Sequence, residues 1–130
     1  MLKVLNGPNI AAGESLSVGI DCSEGPIVKI TMPPGWVGDT ITFQTSSDGN
    51  LYNDVFEPAG NEFKMKVIAG TGILGMRLQT GFVKIRSGTR EAPVVQPSSR
   101  DFAIALDVLP DAAAPAGNEL RVRLLGGFAP

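Results

Sequence analysis

Between positions 15 and 108 apolar and polar residues alternate over five to eight positions at a time, and each run is cut by Gly, Pro, Asn or Asp. Alternation with a period of two gives an extended segment one face for a core and one for water. Turn residues at these intervals fold each segment back on the last. Helical periodicity is not sustained anywhere. The 16 Gly and 10 Pro among 130 residues far exceed the roughly 12% of average usage, and most of them mark these breaks.

Read this way, the chain holds about eight strands, at residues 15–22, 27–32, 40–46, 51–56, 62–68, 73–78, 82–87 and 101–108. In the last of these Phe102, Ile104 and Leu106 share a face, and in 82–87 Val83 and Ile85 oppose Lys84 and Arg86. Asp48-Gly49 supplies the left-handed backbone of a tight hairpin. Residues 88–100 carry Pro93 and Pro97 and read as a long connection between two sheets. The expected fold is all-β: a single antiparallel β-sandwich, jelly-roll or immunoglobulin-like, with extended N- and C-terminal arms. The expected organisation is an N-terminal arm over 1–14 and the sandwich over 15–108. An Ala/Pro linker with a C-terminal strand or arm follows over 109–130.

Composition removes several function classes. The sequence has no His, so Ser-His-Asp, Cys-His and His-metal chemistry are excluded. With 11 Lys and Arg against 13 Asp and Glu the net charge is −2, which offers no basic field to a phosphate backbone. Nucleic acid is not an expected partner. The single cysteine, Cys22, reads as a small buried hydrophobe in a chain matured in a reducing cytosol. Asn6-Gly7-Pro8 interrupts the N-terminal run before a signal-peptide core forms. No apolar stretch reaches the roughly 20 residues a membrane helix requires.

The motifs that resemble chemistry lose it in context. Gly70, Gly72 and Gly75 match a dinucleotide fingerprint, but no helix pattern follows to face an anion. Asp48, Asn50 and Asp54 have cation-ligand spacing, yet Asn53 and Ala59 stand where an EF-hand needs Gly and Glu. No carboxylate pair stands out for glycoside hydrolysis. No catalytic, cofactor-binding or metal-binding residues are expected, and no enzyme activity. Trp36 and Tyr52, with Phe56, offer flat rings for a sugar, an alternative reading as a carbohydrate-binding or host-attachment module of a phage tail fibre or spike. The ends carry apolar residues that need covering: Leu2, Val4, Leu5 and Ile10 at one, and Leu120, Val122, Leu124, Leu125 and Phe128 at the other. With Arg121 and Arg123 these are the candidate subunit and partner contacts.

Three stretches combine into a more specific pattern. Thr42-Phe43-Gln44 leads through Ser46 to Asp48-Gly49; Lys84, Arg86, Ser87, Gly88 and Thr89 follow; then come Pro93, Val94, Gln96 and Arg100. In order and spacing this resembles a small β-sandwich protein of the virion gene modules of tailed bacteriophages. The resemblance implies a non-enzymatic structural protein, first a head decoration (cement) protein. Such a protein is made in the host cytoplasm and placed on the outer capsid surface. It implies as partners the major capsid protein and further copies of the chain as a homotrimer, with shell stabilisation as the function.

Overall fold

The computed structural model describes residues 1–109. Among them there is no helix. Nine strands follow one another: β1 (Leu2–Ile10), β2 (Ile20–Cys22), β3 (Ile27–Thr31), β4 (Thr40–Ser46), β5 (Asn53–Asp54), β6 (Lys64–Lys66), β7 (Gly72–Ile73), β8 (Gly81–Ser87) and β9 (Arg100–Asp107). They make two antiparallel sheets. One runs β1-β9-β3-β7; the other runs β2-β8-β4-β5, with β6 also paired to β4. One buried cluster takes Ile10, Ile30, Ile104 and Leu106 from the first sheet and Ile41, Phe43, Val83 and Ile85 from the second. The arrangement is therefore sandwich-like, and its core is built from the inward positions of the alternating runs.

The connection 88–100 joins β8 in one sheet to β9 in the other, as its prolines suggested. It opens on Gly88, which has φ +85° and whose added Cβ would lie 2.5 Å from the Ala92 carbonyl oxygen. Only glycine fits there without displacing backbone. Residues 70–75 form a turn and the short β7, whose Ile73 pairs with Ile30.

Several expectations need correction. The N-terminal segment is no free arm: residues 2–10 form β1, hydrogen-bonded along β9 from Leu2 opposite Asp107 to Ile10 opposite Arg100. Asn6-Gly7-Pro8 breaks the pattern only locally, because the register shifts between Asn6 and Asn9 and an edge strand tolerates Pro. The run 15–22 keeps three strand residues, with Leu16 making a lone bridge to Arg86. The hairpin at Asp48-Gly49 is wider than a tight turn, since Thr45 pairs with Asn53. The linker and strand expected within 109–130 lie outside the described residues from position 110 onward.

Candidate assembly surface

β1 is the edge strand of its sheet. Among the described residues, it has a partner on one side only. Its side chains alternate across the sheet as a strand requires. Leu5 packs against the core and Ile10 is 0% exposed. These two candidate contact residues are therefore committed to the fold and are corrected on that ground. Leu2 and Val4 point outward, 63% and 55% exposed. Val4 stands opposite Ala105, which in turn faces Lys29 on β3; Asn6 stands opposite Ala103, beside Thr31. Ala103 is half-buried and Ala105 is buried, 5% exposed, so the exposed apolar part of this face lies at Leu2 and Val4 on the edge strand itself.

An edge strand is commonly guarded by charge. Here the one charged residue in 2–10 is Lys3, whose ammonium lies 2.6 Å from Glu24 in an exposed ion pair. A nine-residue edge with two exposed aliphatic side chains and a single charge is suited to contact with another protein. Leu120, Arg121, Val122, Arg123, Leu124, Leu125 and Phe128 lie outside the described residues.

Of the aromatic pair proposed for a sugar, one ring is buried and the other is covered on a face by a lysine. Trp36 is 6% exposed and meets Phe102 edge-on, with ring centroids 5.4 Å apart. Its sequence position in a loop did not disclose this burial, in which Nε1 has no hydrogen-bond partner among the described residues. Tyr52 is half-buried, and the Lys84 ammonium sits 4.5 Å from its ring centroid, where a sugar would stack. Asp48 is occupied in its own turn: Oδ1 accepts hydrogen bonds from Ser46 Oγ and the amides of Asn50 and Leu51. The two amides, then the hydroxyl, hold its carboxyl below the usual carboxylate range. Cys22 is buried, and burial, with Asp21 nearby, pushes its thiol up to about 11.

Behind the surface lies a polar network that the alternation did not disclose. Arg86, placed outward by the pattern, is 8% exposed. Its guanidinium meets Asp54 at 2.6 Å and Glu62 at 3.2 Å, the two residues that bracket the excursion between β5 and β6. Arg90 adds a 3.1 Å contact to Asp54 and donates its backbone amide to Glu62. Desolvation pushes the Asp54 carboxyl up, but hydrogen bonds from Arg86 and Gln44 and the two guanidinium charges outweigh it and leave it lowered.

A second centre is Gln96, fully buried. Its Oε1 accepts from the Val37 amide and Arg100 Nε at 3.1 Å, and its Nε2 donates to the Val37 carbonyl at 2.7 Å and Ser87 Oγ at 2.8 Å. Thr42 donates to the Gly88 carbonyl at 2.9 Å. The residues that carry the family-like pattern are thus largely the ones that pin β4, β8 and the connection 88–100 together. Their spacing records a structural requirement. No protein family, curated protein or solved structure matches the chain.

Proposed function

We propose that the chain is a non-enzymatic virion structural protein, a capsid decoration protein that binds the outer capsid surface as an oligomer and stabilises the shell. The observation that carries this reading is the open β1 edge with Leu2 and Val4 exposed on it. Strand order supports a jelly-roll connectivity. If β5 and β6 count as one strand on the β4 edge, the chain crosses between sheets at every step except β4 to β5, and the orders β1-β9-β3-β7 and β2-β8-β4-β5 are those of two Greek keys. Jelly rolls serve in viral capsids and in lectins, so the fold admits both leading readings and the surface must separate them. Burial of Trp36 and the Lys84 ammonium over Tyr52 weigh against the glycan reading.

The partners in this reading are the major capsid protein and further copies of the chain, as a homotrimer; the site of action is the virion exterior. Contact is made by buried area, which requires no cofactor. The double variant Leu2→Lys, Val4→Lys tests the surface. Both positions are exposed, so thermal stability should stay close to wild type. Sedimentation equilibrium of the wild type should give an oligomer and of the variant a monomer. A wild type that stays monomeric, or a variant that associates equally well, overturns the assignment of β1.

A further inference from the structure

Among the described residues, the sheet β1-β9-β3-β7 is also open at its other edge, β7. The segment around that edge, residues 68–76, carries no charged side chain. Ile68 and Leu74 flank β7 and stand 69% and 70% exposed, as Leu2 and Val4 stand exposed at the β1 edge. Backbone groups face outward at both edges. The Val108 amide donates to the Met1 carbonyl, and Leu2 is opposite Asp107. By antiparallel alternation the amides and carbonyls of Leu2, Val4 and Asn6 therefore point away from β9. At the far edge the Met32 amide donates to the Thr71 carbonyl, so Gly72, opposite Thr31, turns its amide and carbonyl outward in the same way. The Val18 amide donates to the Asn9 carbonyl, which confines the open part of β1 to residues 2–6.

We propose that these two edges are the two halves of one junction: β1 of one copy docks on the β7 edge of the next, and the copies close head to tail into a ring. The proposal rests on the reading of β1 as the assembly surface and names the surface that receives it. Strand direction favours this pairing. Every neighbouring pair in the sheet is antiparallel, so β1 and β7 run in opposite senses. A second copy set in the same orientation thus brings its β1 antiparallel to β7. Copies related in this way all turn the same side to a shell, and unlike surfaces in contact give closed rings when the rotation between copies closes. Charge acts in the same direction. Two β1 edges paired about a two-fold axis, with Val4 opposite Val4, would set each Lys3 diagonal to the other, a like-charge contact. The uncharged segment 68–76 imposes no such repulsion. An open edge at each end of one sheet is a liability for uncontrolled pairing, and a ring covers both with a single kind of contact.

Two variants of the full chain test it. Ile68→Lys with Leu74→Lys alters exposed positions only, so Tm should stay close to that of wild type. Sedimentation equilibrium should show the wild-type oligomer lost and a monomer in its place. In the second variant Val4 and Leu74 are each changed to Cys and the protein is treated with bismaleimidoethane, which adds each thiol S–H across a maleimide double bond and tolerates an offset in register. Cys22 does not compete, being buried with its thiol raised to about 11. The expected product is a covalent oligomer of the native size, while Val4→Cys alone and Leu74→Cys alone stay unlinked. A monomeric wild type overturns the reading of β1 and the junction with it. Three results leave β1 as the assembly surface and overturn the junction alone: a wild-type oligomer that Ile68→Lys with Leu74→Lys reproduces, cross-linking by Val4→Cys alone, or no cross-link in an oligomeric double-cysteine variant.

Discussion

Replacing Arg86 with Met is expected to destabilise the protein by about 3 kcal/mol, because it takes the bridging cation from two carboxylates only partly open to water and leaves them the weaker contacts to Arg90 and Gln44. Asp54 and Glu62 are 20% and 13% exposed at the side chain, and both are oriented by the guanidinium. The loss should appear as a fall in Tm of about 10 °C. Arg86→Lys should recover less than half of it, since an ammonium cannot bridge two carboxylates in a planar fork. A pH series separates this from a packing effect. The folded-state carboxyl of Asp54 is lowered, so its share of stability is complete above the ordinary carboxylate value of about 4 and fades as pH falls through the folded value. The gap between wild type and Arg86→Met should therefore narrow in acid. A gap that persists unchanged there would assign the effect to volume.

Gln96→Ala should cost a similar amount, about 3 kcal/mol, for a different reason. The residue has no exposure, and truncation leaves the Val37 amide and carbonyl, Ser87 Oγ and Arg100 Nε without partners. It also opens a cavity. The measurement is the urea midpoint: it should fall while the slope stays that of wild type, the sign of lost native-state interactions with the same surface exposed on unfolding. Gln96→Glu should fall between the two, keeping acceptors for Val37 and Arg100 and losing the donors to the Val37 carbonyl and Ser87. A midpoint within experimental error of wild type for Gln96→Ala would remove Gln96 as the pin of the connection 88–100.

These two residues mark the boundary of what alternation discloses. Phe102, Ile104 and Leu106, and Val83 with Ile85, lie in the core as the period of two requires, because burial of apolar area is local to each strand. Arg86 obeys the same alternation and points to the outer face of its sheet. It is buried because an excursion from β5 returns over it, and that long-range event leaves no mark in the neighbouring sequence. Gln96 lies in a segment without periodicity, so only its place in the phage-like pattern singled it out. Trp36 and the run 2–10 failed in the opposite sense. A loop position suggested exposure, and Asn6-Gly7-Pro8 suggested a break, where the fold supplies cover from Phe102 and a register shift against β9. Of the candidate contact residues among the described positions, Leu2 and Val4 keep their place on the surface, while Leu5 and Ile10 belong to the interior.

The edge proposal needs the second surface. Electron cryomicroscopy of expanded, undecorated tailed-phage capsids, the partner named by the proposed decoration role, incubated with the purified protein, addresses it most directly. The account predicts regularly arrayed density on the outer shell with β1 facing a neighbouring subunit or the shell, and bare particles when Leu2 and Val4 are both Lys. Particles that stay bare with the wild-type protein, or density joined to the shell through the opposite sheet, would contradict it.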